Sequence, residues 1–334
     1  MDEETVLAER AANGEFAGRP LVTFALFAYN QEQYVREAIE GAFAQTYSPL
    51  EIILSDDCSS DATFAIMQEM AAAYDGPHRV AVRRNEDNQG TLTHVLLVAR
   101  QAQGQFMVVA AGDDISLPQR TKVMVEIMIN QPPNIVVLSS DDEVFDDSGK
   151  KYNSEQDKRA RRIFFSNDHS WFLGATACFR TPELRRLPMP RHRVLFEDTA
   201  LMTVFRYLGQ ASARVELPLI RRRAHSENVG HIRTFDQADI WSKELRAQKI
   251  NNLVAYAYIY AYESISSFGI EADETRVKAN FMHKYSQWPE ISLWGRFTLL
   301  PKAMKFGYGR RLINRMLGAR SYIFLQSLKS ICRS

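Results

Sequence analysis

The chain has 334 residues, 46% of them hydrophobic and 24% charged, which excludes a disulfide-stapled miniprotein and a wholly disordered chain and leaves room for one large α/β domain with an appendage. Its 41 Lys and Arg against 40 Asp and Glu give a net charge of +1, so no global field attracts nucleic acid. Cys58, Cys178 and Cys332 are far apart and form no C-x-x-C pair, which argues against a disulfide framework or a thiolate zinc site and makes a reducing compartment the expectation.

The charge is segregated. Residues 291–334 carry nine basic side chains and no acid, which leaves the preceding 290 residues with 32 basic against 40 acidic groups, a net −8. The first twenty residues hold acids and no apolar stretch of the export-signal kind, and no run of about 18 apolar residues occurs. Neither an export signal nor a single membrane span is expected.

Residues 1–19 are polar, contain Gly14 and Gly18, and lead to Pro20, which predicts a loose or weakly helical lead-in. Leu21–Ala28 is a short, nearly continuous apolar run of the kind a parallel sheet buries on both faces. Glu32 to about Thr46 reads as a helix with Val35, Ile39, Ala42 and Phe43 on one stripe. Glu51–Leu54, Val80–Val82 and Phe106–Ala111 read as further strands, with helices over Ala62–Tyr74 and Thr91–Gln101 between them. Pro118 suits the first turn of another helix, where its missing N–H costs nothing.

This alternation predicts right-handed βαβ units and a mostly parallel sheet. Ligands of such sheets bind beyond the carboxyl ends of the strands. Polar residues do follow each strand: Tyr29 and Asn30, Asp56 and Asp57, Asn85 to Gly90, Asp113 and Asp114. After Ile135–Leu138 the alternation stops. Residues 141–168, acidic and then basic without a period, are expected to form a loop or flap flanked by short elements. Trp171–Phe179 is strand-like, and Arg191–Leu208 brings a charged cluster into an apolar helical pattern. Phe235–Phe268 predicts a long helix, although Tyr256, Tyr258, Tyr260 and Tyr262 alternate with the period of a strand.

Four constellations bear chemistry, each with a plainer alternative. In Ser55-Asp56-Asp57-Cys58-Ser59-Ser60-Asp61, Ser60 or Asp61 suits capping the next helix, whereas Asp56 leaves a central strand at the ligand edge and suits hydrogen bonds from a nucleobase or ribose. Asp113 and Asp114 repel each other unless a cation is shared, and hard oxygen donors point to Mg²⁺ or Mn²⁺; a solvated turn capping the helix after Pro118 is the equal alternative. Gly112 would let backbone approach a bulky anion. Glu197 and Asp198 offer a general base or an ordinary acidic helix start. Arg221 to Asn228, with three arginines and His225, suits a diphosphate and its metal or a solvated edge strand. The other six histidines show no metal-ligand spacing. Motifs of dinucleotide oxidoreductases, P-loop NTPases, α/β-hydrolases and zincins are absent from the sequence.

In this order the signals resemble the family 2 inverting glycosyltransferases of bacterial polysaccharide assembly. The stretch from Val22 to Asn30 is similar to the family's first strand and Y-N turn. Gln45-Thr46-Tyr47 is similar to its Q-T-Y stretch, and Asp56-Asp57-x-Ser59-x-Asp61 to D-D-x-S-x-D. Asn85, Asn88 and Gly90 resemble the N-x-G region, with Gly104 at the turn before the fourth strand. Gly112-Asp113-Asp114 stands at the D-x-D position, Glu197-Asp198 at the E-D acceptor motif, and Arg223-x-His225 at the R-x-H element. One departure is Ala111, where many members carry the first acid of Asp-x-Asp-Asp.

The resemblance, over about residues 20–232, implies a GT-A-like α/β nucleotide-binding domain with a mostly parallel central sheet. It implies a donor half at about 20–140, an acceptor half at 141–232, and beyond them a helical C-terminal region, 233–334, with a basic amphipathic tail. It places Ala28, Tyr29, Asn30, Asp56 and Asp113 at the donor nucleotide, and Asp113, Asp114 and His225 at a divalent cation (Mg²⁺ or Mn²⁺). Arg223 falls at the diphosphate, and Asp198 is the base with Glu197 as fallback. The implied reaction moves a sugar with inversion from a UDP- or dTDP-linked donor to a hydroxyl of a glycan or lipid-linked glycan. A non-catalytic nucleotide-sugar-binding or scaffold relative is the alternative. A sugar-phosphate nucleotidyltransferase would need a Gly- and Arg-rich loop that is missing after Ala28.

The tail mixes Trp294, Phe297, Leu299, Leu300 and Phe306 with its cations. This pattern fits either an anionic membrane surface, which would put a cytoplasmic protein at the inner face of the membrane, or a helical cap on the acidic body.

Overall fold

Strand β1 (Val22–Ala28) lies between β2 (Leu50–Asp56) and β4 (Phe106–Ala111), with β3 (Arg79–Arg84) outside β2, and all four run parallel. The computed structural model of the chain describes residues 18–152, 172–225, 240–286 and 293–306. β1 and β2 are buried along nearly their whole length, as their continuous apolar runs require. Helices α1 (Val35–Phe43), α2 (Thr63–Ala72), α3 (Thr91–Gln101) and α4 (Arg120–Ile129) connect and flank these strands. β3 forms the edge and carries Arg79, Arg83 and Arg84, charges that discourage pairing with another chain.

The second half of the sheet is mixed. Its strands are β5 (Ile115–Ser116), β6 (Ile135–Asp146), β7 (Lys151–Tyr152), β8 (Ala177–Arg180) and β9 (Ala211–Ala224), and the order across the sheet is β3-β2-β1-β4-β8-β6-β9-β5, with β7 beside β6. β8 is antiparallel to β4 and β6, whereas β6 and β9 are parallel. Short helices α5 (Thr181–Arg185) and α6 (Glu197–Tyr207) lie between β8 and β9 in the chain.

The expected flap at 141–168 is corrected over its first part, because β6 continues to Asp146. Acids and arginines there are cross-strand partners: Asp141 with Arg214, Asp142 with Arg222 at 2.5 Å, Glu143 with Arg221 at 3.7 Å. A ladder between two distant segments has no period within either, so the pattern read as a loop. Residues 153–171 lie outside the described part. The helix expected to open at Pro118 begins at Arg120. The triple arginine is part of β9, which lies inside the sheet between β6 and β5, and so is no solvated edge.

The described residues divide into two compact units, one within Met1–Arg193 and Leu201–His231, the other within Val194–Ala200 and Ile232–Ser334. In the second, α7 (Ile240–Ser267), α8 (Asp273–Ser286) and α9 (Leu293–Lys305) share a core of Ala255, Phe281, Met282, Tyr285, Leu299 and Ala303. The four alternating tyrosines belong to helix α7. Its buried positions include Ala255, Ala257, Tyr260, Ala261, Ser264 and Ile265, and of the four tyrosines only Tyr260 is among them, so the tyrosine spacing misleads. On α9, Leu299 and Ala303 turn inward while Lys302, Met304 and Lys305 are exposed. Residues 307–334, most of the basic tail, lie outside the described part. Among the described residues no helix is long and apolar enough to cross a membrane.

Two motif residues prove to be braces. Gln45 donates from Nε2 to the carbonyls of Gly41 and Leu117 and accepts from the N–H and hydroxyl of Thr121, which ties α1 to α4. Near the amino ends of β1 and β2, buried Glu51 accepts from the Thr23 hydroxyl and from the N–H groups of Gln103 and Gly104. A Cβ on Gly104 would stand 2.3 Å from the Thr23 nitrogen. Gly104→Ala is therefore expected to lower the urea midpoint by the equivalent of about 1–3 kcal/mol, and an unchanged midpoint would contradict this packing.

Candidate active site

The carboxyl ends of the first strands are level: Ala28 stands opposite Asp56, and Asp56 opposite Arg84. Beyond them the Tyr29-Asn30 turn and the Asp56–Asp61 loop are bonded into one unit. Asn30 adopts a left-handed backbone with φ 51°, which Asn tolerates better than most residues. Its N–H donates to Ser59 Oγ at 2.8 Å, its Oδ1 accepts the Ser60 N–H at 2.8 Å, and the Ser59 hydroxyl donates to Asp56. Asp61 accepts the N–H of Thr63 at 3.0 Å and of Glu32 at 3.0 Å. Burial alone would raise its carboxyl, but these hydrogen bonds outweigh burial and lower it. Asp61 thus serves the start of α2, as the plainer reading had it, and Ser60 serves Asn30.

Asp56 is fully buried and accepts from the Ser59 N–H at 2.9 Å and from Arg84 Nε at 3.2 Å. Tyr29 is 45% exposed. Asp57 holds the next loop, accepting from Asn85 Nδ2 and from the N–H groups of Gln89 and Gly90. Behind it a buried chain runs from Asn85 through Arg83 to Ser55, whose hydroxyl lies 2.5 Å from His94 Nε2. Burial pushes the His94 imidazole down to about 4, with Asp57 opposing and Arg83 assisting.

Asp113 and Asp114 occupy the turn between β4 and β5, only 8% and 5% exposed. They are neither solvated nor at the start of α4. Gly112 is needed here for packing: a Cβ would meet the Ala28 Cβ and Gln31 Oε1, each at 2.6 Å, so the close approach is to the end of β1. The end of β9 closes over the turn. Asp114 Oδ1 accepts the Arg223 N–H at 2.9 Å, and Asp113 Oδ2 lies 3.0 Å from His225 Nε2. Burial, then the neighbouring Asp113, push the Asp114 carboxyl well above its usual range.

The Arg223 side chain reaches Glu37 at 2.8 Å, Asp147 at 3.2 Å and the Asp113 carbonyl at 3.3 Å. Beneath the turn, fully buried Arg120 donates to the Val109 and Ala175 carbonyls and to Ser116 Oγ. Burial lowers its guanidinium to about 10. Tyr34, Glu37, Arg84 and Arg120 had no local sequence signal, since each acts on a residue distant in the chain.

Ala28, Tyr29, Asn30, Asp56, Asp113, Asp114, Arg223 and His225 are therefore gathered in the first unit. Glu197 and Asp198 form the first turn of α6 and belong to the second. Burial and the adjacent Asp198 push the Glu197 carboxyl up to about 8. Within the same unit, burial and the Asp198 charge raise the Tyr258 phenol to about 12.

Residues 23–187 match the family described as Glycosyl transferase family 2. That segment is a family 2 glycosyltransferase domain. The putative glycosyltransferase EpsE of Bacillus subtilis is 33% identical over 112 residues, 33% of this chain and 38% of EpsE. The succinoglycan biosynthesis protein ExoO of Rhizobium meliloti is 37% identical over 108 residues, 32% of this chain and 29% of ExoO. The chain spans about a third of the length of the curated relatives it matches. The mannosyltransferase PcManGT of Pyrobaculum calidifontis, solved with GDP-Man and Mn²⁺, superposes with a TM-score of 0.56 at 14% identity, covering 99% of this chain and 88% of that one. At that identity the likeness is one of fold, and the fold is GT-A. The family 2 domain thus has the mostly parallel α/β architecture expected of it.

The His94 chain under the glycosyltransferase strand ends makes stability pH-dependent. An unfolded imidazole titrates near 6.5 and the folded one near 4, so between these values the unfolded state binds the extra proton. Stability rises with pH through that window and is lost as pH falls from about 6.5 toward 4. Urea midpoints at pH 7 and pH 5 are expected to differ by about 2 kcal/mol more in the wild type than in His94→Gln. Equal pH slopes would refute the buried neutral imidazole.

Proposed function

We propose that the chain transfers a sugar, with inversion, from a nucleotide-diphosphate donor, UDP- or dTDP-linked, to a hydroxyl of a glycan or lipid-linked glycan in polysaccharide synthesis. The observation that carries this reading is the buried Asp113–Asp114 turn, within the family 2 segment, closed by Arg223 and His225 beside the level ends of β1 and β2. Asp56 and the exposed Tyr29 ring, at those ends, are the groups offered to the nucleoside. Asn30 takes part through the loop it holds together.

The donor chemistry of the turn suits a divalent cation: one carboxylate and one imidazole lie in contact, with a second carboxylate adjacent. Among the described residues no group of three His, Cys, Asp or Glu is arranged to hold a metal. Asp113 and His225 would therefore hold the ion, with Asp114 behind them and diphosphate oxygens completing the set, as Mg²⁺ commonly prefers. Bound there, the ion would supply positive charge to a departing diphosphate. PcManGT carries GDP-Man with Mn²⁺, which supports a nucleotide sugar with a divalent ion here too. Arg223 reaches the diphosphate in this reading only by exchanging existing partners.

Asp198 is the base that takes the acceptor proton. Glu197, beside it in the first turn of α6 and with its carboxyl pushed up by burial and by the Asp198 charge, is the fallback. We assign the basic segment 291–334 to an anionic lipid surface, which puts a cytoplasmic enzyme at the inner face of the membrane.

Asp198→Asn is expected to lower kcat by about 10²–10⁴-fold with donor binding retained, and Asp114→Asn to weaken Mn²⁺-dependent donor binding. A panel of UDP-, dTDP- and GDP-sugars read by thermal shift identifies the donor, because selective binding raises apparent stability. Donor binding without turnover on any acceptor would favour the scaffold alternative. Vesicles containing anionic lipid should retain the full chain better than neutral ones, increasingly so at low salt; equal retention would remove the membrane assignment.

A further inference from the structure

We infer that Tyr34 is a positioning residue, whose ring holds Arg223 and His225 where those two grip the Asp113–Asp114 turn. This rests on the reading of that turn as the donor site. Tyr34 immediately precedes α1, anchored by its N–H to the Gln31 carbonyl at 2.9 Å. The His225 imidazole stacks on its ring with centroids 4.7 Å apart and planes at 28°, and the Arg223 guanidinium carbon lies 4.9 Å from the same ring.

Residues 223 and 225 are two apart at the end of an extended strand, so both side chains project to one side. A single aromatic face can meet both. Glu37, three residues on, shares a helical face with Tyr34 and takes the Arg223 guanidinium at 2.8 Å. The first turn of α1 therefore presents a ring and a carboxylate as a matched pair to the R-x-H element.

The grip continues inward. Arg223 gives its backbone N–H to Asp114 and Nε to the Asp113 carbonyl, and His225 meets the Asp113 carboxylate. Against a carboxylate oxygen, Nε2 carries the proton. The β6–β9 register ends with Asp146 opposite Ala224, so His225 lies one residue past the last strand pairing. Its ring orientation is set by Tyr34 on one face and Asp113 at the edge. Phe145 covers Arg223 as well, at 4.6 Å, from β6.

The test uses the full chain in two measurements. With ¹⁵N-histidine labelling, the wild type should show an imidazole Nε2–H resonance protected from water exchange and assigned to His225 by its loss in His225→Gln. Tyr34→Phe should keep it and Tyr34→Leu should lose it, with Tyr34→Met, bulky but ringless, repeating the test should the Leu variant fail to fold. Titration with Mn²⁺ plus UDP, dTDP or GDP should then show affinity about 10–100-fold weaker in the ringless variants and within about threefold of wild type in Tyr34→Phe. In turnover assays the ringless variants should show the loss chiefly in KM.

Absence of the protected resonance from the wild type, its survival in a ringless variant, or equal losses in the Phe and Leu variants would each overturn the assignment. If the resonance behaves as described but none of these nucleotides binds the wild type, the donor-site reading of the turn falls and the positioning role stands.

Discussion

Two carboxylates are buried side by side where β4 turns into β5, and much of the domain is arranged around the cost of keeping them there. Like charges in a water-poor site raise each other's proton affinity, and Asp114 is pushed well upward by burial and by Asp113. The compensation arrives from the end of β9 and the residue after it, more than a hundred residues away, as a backbone N–H, the His225 imidazole and the Arg222 charge. Arg120 sits beneath the turn as a further buried cation. Such a turn is stable only in the assembled domain, which links the chemistry of the site to the integrity of the sheet.

The ends of β1, β2 and β3 follow a different principle, in which loops are fastened to each other. Asn30, Ser59 and Asp56 bond the ends of β1 and β2 together, and Asp57 gathers the loop after β3. These bonds satisfy backbone groups that leave the sheet and would otherwise be buried without partners. They also hold Tyr29 outward, the large exposed ring at this edge. Rigid strand ends with mutually bonded loops give a preorganised surface, which lowers the entropy lost when a ligand binds.

Much of this was legible in advance. Strands β1 to β4 and helices α1 to α4 follow from local apolar runs and their punctuation, and α3 and β4 fall at the expected residues. That Tyr29, Asn30, Asp56, Asp113 and Asp114 gather at one edge was legible because polar groups that follow parallel strands reach the same edge. Less legible were the roles within each motif. Ser60 and Asp61, Gln45 and Gly104 prove to be fastenings, and Gly112 is required by β1 packing. The extension of β6 was hidden because its acids answer arginines on another strand. The alternating tyrosines of α7 pointed the wrong way because only Tyr260 of the four is buried, among Ala255, Ala257, Ala261, Ser264 and Ile265.

What the amino-acid order determined by itself was local: where strands and helices form, which polar residues follow each strand, and so which edge of the sheet bears chemistry. What tertiary structure alone decided was partnership. Tyr34 meets His225, Arg223 meets Glu37, and Arg120 braces β4 because folding brings these side chains within a few ångströms across up to 191 residues of chain. The physical reason is that backbone preference and hydrophobic period act over a few neighbouring residues, whereas hydrogen bonds, stacking and charge compensation depend only on distance in space.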